Sequence, residues 1–148
     1  MTQPGPIPSD ERIVDAMIVL ACAAKSHRMI VAGSNSSEVF QRLGRRGYSR
    51  VATTKTCRAP RGQNDVALIT WREHSMRALA TTLDWLVHFL SPSGVLVVWI
   101  GPHERMPHQA LRLALETLGF RIEVGTCCEN GLAISARRLE STAAAKAA

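Results

Sequence analysis

Hydrophobic positions along the chain alternate between short apolar runs and longer stretches with helical spacing. The runs at residues 29–32, 65–71 and 94–100 are short and rich in β-branched residues, which is typical of strands buried in a sheet. Between them, apolar residues recur every three or four positions, as they do on the buried face of an amphipathic helix. The pattern predicts the order helix, strand, helix, strand, strand, helix, strand, helix, strand, strand, and therefore an α/β fold with a mainly parallel central sheet.

Helix boundaries are predicted from capping residues and from breakers. Ser9 is a good N-cap, and the helix that it starts is expected to run to about Lys25. The predicted buried face of this helix comprises Ile13, Met17, Leu20 and Ala24. A later helix carries apolar residues from Met76 to Leu90, and the sequence Ser91-Pro-Ser-Gly94 is expected to end it before the central strand.

The stretch from Arg28 to Leu43 predicts a buried strand, a tight polar turn at Gly33 and then an amphipathic helix starting at Ser36 or Ser37. The predicted apolar face of the helix comprises Val39, Phe40 and Leu43. The free backbone N–H groups at the start of a helix suit an anion or a polar ligand, and open α/β sheets bind ligands at the carboxyl ends of their strands. The alternative is that these small residues only turn the chain.

The remaining strands include a closing hairpin. Residues 48–54 predict a second strand, and residues 120–124 and 132–136 predict the last two. Asn130-Gly131 lies between those two, and Asn-Gly is a strong hairpin signal. The last two strands are therefore expected to be antiparallel neighbours.

Length and composition indicate one globular domain. The chain has 148 residues and a mass of 16.2 kDa, with 46% hydrophobic and 20% charged residues. We expect a mobile leader rich in Pro and Gly at residues 1–8, a single α/β domain at 9–140 and a low-complexity flexible tail at 141–148.

The cysteines and the apolar segments predict a cytoplasmic protein without a metal site. The four cysteines form no Cys-x-x-Cys pair and no zinc-ligand spacing, so reduced thiols are expected. The apolar segment at residues 16–24 is preceded by Asp10, Glu11 and Asp15, where an export signal needs a net positive start. No apolar run approaches the about 20 residues that a membrane-spanning helix requires, so no membrane partner is expected.

The formal charge is +6, and 15 of the 18 basic residues are Arg. This balance is compatible with a nucleic-acid partner, and it is equally that of an Arg-rich solvated surface. Six arginines fall close together in the sequence and could share one surface: Arg42, Arg45, Arg46, Arg50, Arg58 and Arg61.

Four segments resemble those of a class I S-adenosylmethionine-dependent methyltransferase domain, and the resemblance covers residues 10–138. Ile30–Ser37 is similar to the glycine-rich cofactor loop, and Asn64–Ile69 is similar to the fourth strand of that family. Leu90–Val98 resembles its segment of leucine, proline, glycine and apolar strand, and Gly119-Phe120 begins the usual ending. The resemblance implies a three-layer Rossmann-like sandwich and S-adenosylmethionine as the cofactor.

The cofactor loop departs from the family pattern. The family places an acidic residue before three alternating glycines, whereas this chain has Val31, Gly33, Asn35 and Ser37. Side chains at the last two positions would crowd the cofactor or replace the close backbone approach with hydrogen bonds. The loop is thus a degenerate form of the motif.

Two further segments also differ from the family. The acid that binds the ribose hydroxyls at the end of the second strand is replaced by Thr53-Thr54-Lys55, and a third strand is compressed into the loop at 55–64. Thr70-Trp-Arg-Glu73 stands where amino-methylating members carry a catalytic tetrapeptide.

Two loops hold further candidate residues. Residues 71–74 follow the third strand and hold Trp, Arg, Glu and His, which suits either a substrate site or a solvated loop. After the central strand, His103 is the best general-base candidate, and an exposed loop histidine is the alternative. No catalytic residue is assigned.

The sequence leads to two hypotheses. In the first, the chain is a divergent methyltransferase-like domain with lost or altered cofactor binding, and an S-adenosylmethionine-dependent methyltransferase if it is active. A small-molecule ligand would then bind at the sheet edge, with Gly33, Ser34, Asn35 and Ser36 as its cradle and Thr54 on the ribose side. In the second, it is a non-catalytic module that binds a protein partner, or a nucleic acid through the six arginines.

Overall fold

The computed structural model describes residues 8–33, 36–53, 63–71, 76–100, 108–128 and 131–138. The helices are α1 (Pro8–Ala21), α2 (Ser36–Arg45), α3 (Met76–Val87) and α4 (His108–Thr117). The strands are β1 (Met29–Gly33), β2 (Val51–Thr53), β3 (Asn64–Trp71), β4 (Leu90–Ile100), β5 (Phe120–Cys128) and β6 (Gly131–Arg138). The order of helices and strands is the predicted one.

The strands form one sheet in the order β2-β1-β3-β4-β6-β5. The first four strands are parallel, and β6 runs antiparallel to both β4 and β5. The predicted α/β fold with a mainly parallel sheet and an antiparallel C-terminal hairpin is therefore confirmed.

Two hydrophobic cores cover the two faces of the sheet and make the fold a three-layer sandwich. One core joins α3 and α4 to residues such as Ile69 and Val98, and the other joins α1 and α2 to residues such as Leu68 and Val97. Successive residues of β3 and β4 are thus buried on opposite faces, as the period of a strand requires. This arrangement explains the continuous apolar runs in both strands.

The first helix differs from its prediction at both ends. It begins at Pro8, so Ser9 lies inside its first turn, and it ends at Ala21, four residues before Lys25. Cys22 follows with a φ of 52°, a left-handed conformation that stops the helix. The observed buried residues are Ile13, Val14, Met17 and Ala21, whereas Leu20 is half-buried and Ala24 is exposed.

The second helix begins at Ser36, as expected, but its apolar face is narrower than predicted. Val39 and Leu43 are buried, whereas Phe40 is 39% exposed because it lies one position off the buried stripe. After the helix, Gly47 has a φ of 92°, and the amide of Tyr48 donates to the carbonyl of Leu43 at 3.1 Å. This left-handed glycine ends the helix.

The start of the central strand was predicted wrongly. Leu90, expected as the last apolar position of α3, is the first residue of β4 and pairs with Asn64. The register then moves from Asn64–Leu90 to Val66–Val95, so residues 91–94 form a bulge. Proline has no amide proton for the ladder and is tolerated in such a bulge.

The ends of three other strands also differ from their predicted positions. The second strand begins at Val51, three residues later than predicted, while β5 extends to Cys128 and β6 begins at Gly131. None of the described helices is long and apolar enough to cross a membrane.

Candidate functional site

The candidate site lies where the chain changes direction across the sheet. The connection from β1 leads to β2 on one side, and β3 then lies on the other side of β1. Ligands of open α/β sheets bind at such a switch point, outside the carboxyl ends of the strands. Here those ends are Gly33 of β1 and Thr70 and Trp71 of β3, and Gly33 pairs directly with Thr70.

Gly33 is packed against the neighbouring strand. It has a φ of 103°, and a Cβ atom at this position would overlap the carbonyl oxygen of Thr70 and lie 2.8 Å from its carbonyl carbon. Both the conformation and the contact exclude a side chain. Strand packing is therefore sufficient to require a glycine at this position.

The other residues predicted for the cradle are only partly described. Ser36 is half-buried at the first position of α2, and Glu38 lies in the same first turn. Ser34, Asn35 and Thr54 lie outside the described residues. The structure therefore brings Gly33 and Ser36 to the same end of the sheet and leaves the complete predicted cradle untested.

Val31 occupies the position where the resembling family carries an acid before its glycines. Its side chain has no exposed surface and packs in the core between the sheet and α1 and α2. A carboxylate buried there would require a partner that this apolar cluster does not offer. This position supplies packing and no hydrogen-bond acceptor.

Trp71 ends β3 with its side chain in the core beneath α3 and α4, only 4% exposed. Its indole N–H is buried and finds no acceptor among the residues that the structure describes. A buried donor without a partner costs about 1–3 kcal/mol, so the burial of this atom is uncompensated within the described residues. The burial of Trp71 agrees with the prediction of a buried strand at residues 65–71, whereas its unpaired N–H was not predicted.

The remaining sequence candidates fall outside the described ranges. These are Arg72, Glu73 and His74 after β3, and His103 after β4. Within the described residues, no group of three His, Cys, Asp or Glu side chains is arranged to hold a metal ion.

The four described arginines of the predicted group differ in their partners and exposure. Arg42 pairs with Glu38 at 3.5 Å within α2, and Arg46 pairs with Asp15 of α1 at 3.0 Å. Arg45 and Arg50 are exposed, and Arg58 and Arg61 lie outside the described residues.

No protein-family model matches the chain, and no curated protein matches its sequence. Its fold does match solved structures. The 4+2 cyclase SpnF aligns with a TM-score of 0.65 and 13% identity, over 88% of this chain and 81% of that one. A SAM-dependent methyltransferase from Archaeoglobus fulgidus aligns with a TM-score of 0.62 and 16% identity, over 86% and 94%.

A third match holds a cofactor product in its crystal structure. It is 1,6-didemethyltoxoflavin-N1-methyltransferase from Burkholderia thailandensis with S-adenosylhomocysteine, with a TM-score of 0.57 and 13% identity over 95% of this chain and 94% of that one. At sequence identities this low, the structural similarity shows a shared fold only. The chain has the Rossmann-like fold of class I S-adenosylmethionine-dependent methyltransferases, as its sequence predicted.

Proposed function

We propose that the chain is a divergent methyltransferase-like domain in which S-adenosylmethionine binding is lost or altered. The observation that carries the proposal is the contact between Gly33 and the backbone of Thr70. Because strand packing is sufficient to require this glycine, its presence does not indicate a cofactor. The other two glycine positions of the family's loop hold Asn35 and Ser37.

The acidic positions support the same proposal. Val31 replaces the acid before the glycines and is wholly buried in an apolar core. Thr53, Thr54 and Lys55 replace the acid that would accept hydrogen bonds from the ribose hydroxyls. Without either carboxylate, the residues present do not fit the ordinary binding mode of S-adenosylmethionine, and no methyl-transfer step follows from them.

An altered site would bind through hydrogen-bond donors. The first turn of α2 presents free backbone N–H groups beside Ser36, at the carboxyl end of β1. A small ligand with an anionic or carbonyl oxygen would suit these donors. The residues that hold this ligand would be Gly33, Ser34, Asn35 and Ser36, with Thr54 on the ribose side of the site.

The solved structures support the fold part of the proposal and leave the reaction open. The protein from Archaeoglobus fulgidus is described as a methyltransferase, whereas SpnF is described as a cyclase. One fold hosts unrelated chemistry, so the site residues decide the function.

Isothermal titration with S-adenosylhomocysteine tests the proposal. The natural chain is expected to give no saturable heat at micromolar ligand. The triple variant Asn35→Gly, Ser37→Gly, Thr54→Asp, which restores two glycines and the ribose-side acid, is expected to bind measurably more tightly. A control variant, Ser93→Gly in the β4 bulge, should behave like the natural chain. Micromolar binding by the natural chain would contradict the proposal.

The second candidate function is a non-catalytic module that binds a macromolecular partner. The observation that favours it is a group of exposed cations, Lys25, Arg45 and Arg50, near the amino ends of β1 and β2, at the opposite end of these strands from Gly33.

A further inference from the structure

Two turns lie side by side at the amino ends of β1 and β2. Residues 22–28 lead from α1 into β1, and residues 46–50 lead from the last residue of α2, Arg45, into β2. The hydroxyl of Tyr48 donates a hydrogen bond to the carbonyl of Ala23 at 3.3 Å and joins the two turns. The two turns are therefore adjacent, and their charged side chains lie at the same end of the sheet.

Basic residues of the two turns are close neighbours. The Lys25 side chain crosses Gly47, since its Nζ atom lies 3.4 Å from the point where a Cβ of that glycine would be. The amide of Met29 donates to the carbonyl of Arg50 at 2.9 Å, which places Arg28 and Arg50 at the start of paired strands. The cations of this amino-end surface are Lys25, Arg28, Arg45, Arg46 and Arg50.

Few carboxylates neutralise the amino-end surface. Asp15 pairs with Arg46, and Asp65 accepts a hydrogen bond from the backbone amide of Arg28 at 2.9 Å. Lys25, Arg45 and Arg50 are exposed and form no ion pair with any described residue. Among the described residues, five cations thus lie with two carboxylates, which is a local excess of positive charge within this part of the chain.

We propose that the amino-end surface binds the phosphate backbone of a nucleic acid. The Arg guanidinium presents a planar fork of donors that matches phosphate oxygens, and three of the five cations are not engaged by carboxylates within the described structure. This surface lies at the opposite end of the parallel strands from Gly33, so its binding does not depend on the cofactor proposal.

The composition of the surface favours a polyphosphate chain over a membrane. Neither turn carries an exposed large hydrophobic side chain, whereas a peripheral membrane site needs apolar groups to insert beside its charges. The described large hydrophobic residues that are exposed lie on helices: Val19, Phe40, Trp85 and Leu113.

Tyr48 is not placed to stack on bases, because it is 8% exposed and its hydroxyl is bonded to the backbone. Contacts to phosphates carry no direct sequence information. Binding through the phosphates is therefore expected to be independent of sequence, so a duplex of random sequence is a suitable probe.

The test is fluorescence anisotropy of a labelled random-sequence DNA duplex titrated with the full chain over a series of salt concentrations. Arg45→Ala/Arg50→Ala is compared with Arg77→Ala/Arg112→Ala, which removes the same charge from α3 and α4 in the other layer. Loss of two phosphate contacts is expected to reduce the slope of log affinity against log salt by about 2 and to weaken binding at least about tenfold at low salt. The control variant Arg77→Ala/Arg112→Ala should keep the salt dependence of the natural chain.

Three outcomes overturn the proposal. They are absence of duplex binding by the natural chain at low salt, equal losses in the two variants, and stronger binding to anionic lipid vesicles than to the duplex with the same dependence on Arg45 and Arg50. Thermal unfolding of both variants confirms that each is folded, which is expected because Arg45 and Arg50 are exposed.

Discussion

Gly33 lies so close to β3 that its position has no room for a side chain. In Gly33→Ala the new methyl group would overlap the Thr70 carbonyl, and the residue would also be held at a φ of 103°. We expect the free energy of unfolding to fall by about 2 kcal/mol or more, because backbone strain and overlap add together. Urea denaturation with a circular dichroism signal measures this change.

Gly44→Ala is the matched control for that substitution. Gly44 lies in α2, and a methyl group added there would meet no described atom within 4 Å, so alanine introduces no overlap. Its higher helix propensity is expected to raise the free energy of unfolding by about 0.5–1 kcal/mol. Similar effects of the two substitutions would show that the Gly33 contact has been misjudged.

The sequence predicted the turn at Gly33 but not the reason for its glycine. The prediction followed from a small residue between an apolar run and a helix, whereas the contact with Thr70 depends on the register of two strands that are far apart in the sequence. The exposure of Phe40 was not predictable for a similar reason. The spacing of hydrophobic residues alone does not show which side of α2 faces the core.

Arg138 joins the end of the last strand to the end of α3. Its Nη1 donates to the carbonyls of Val87 and Leu90, at 3.1 and 2.7 Å. A cation bonded to the last carbonyl of a helix, here that of Val87, is favourable, so Arg138→Ala is expected to lower the free energy of unfolding by about 1–3 kcal/mol. Urea denaturation measures this loss.

Arg137→Ala is the control for Arg138→Ala. Arg137 pairs with Glu123 at 3.3 Å on the exposed side of the same strand, and exposed ion pairs contribute about 0–1 kcal/mol. A loss at Arg137 as large as that at Arg138 would contradict the proposed role of Arg138 at the end of α3.

Elements whose signals are local were predicted best. The closing hairpin was predicted from Asn130-Gly131, and β5 and β6 are antiparallel neighbours. The start of β4 was not predictable, because Leu90 fits the helical spacing of α3 equally well. Its pairing with Asn64, whose side-chain amide donates to the Phe89 carbonyl at 3.0 Å, is a tertiary contact that no local pattern indicates.

At the scale of the whole molecule, the two ends of the parallel strands carry different chemistry. Gly33, Thr70 and Trp71 lie at the carboxyl ends, where the fold's ligands bind, and the amino-end surface carries an excess of cations. The fold and the place of the candidate site were predictable, since both follow from the order of apolar runs. The amino-end surface was predictable only in part, because Lys25 and Arg28 join Arg45 and Arg50 through the packing of two separate turns.

Loss or alteration of cofactor binding is tested most directly by an NMR titration of the isotope-labelled full chain with S-adenosylhomocysteine. We predict no saturable shift of the Gly33 and Ser36 amides at micromolar ligand, with any perturbation confined to millimolar concentrations. Saturable micromolar shifts clustered at residues 33–37 and 53–55 would contradict this prediction, because they would show that the ordinary cofactor site of the fold is functional in this chain.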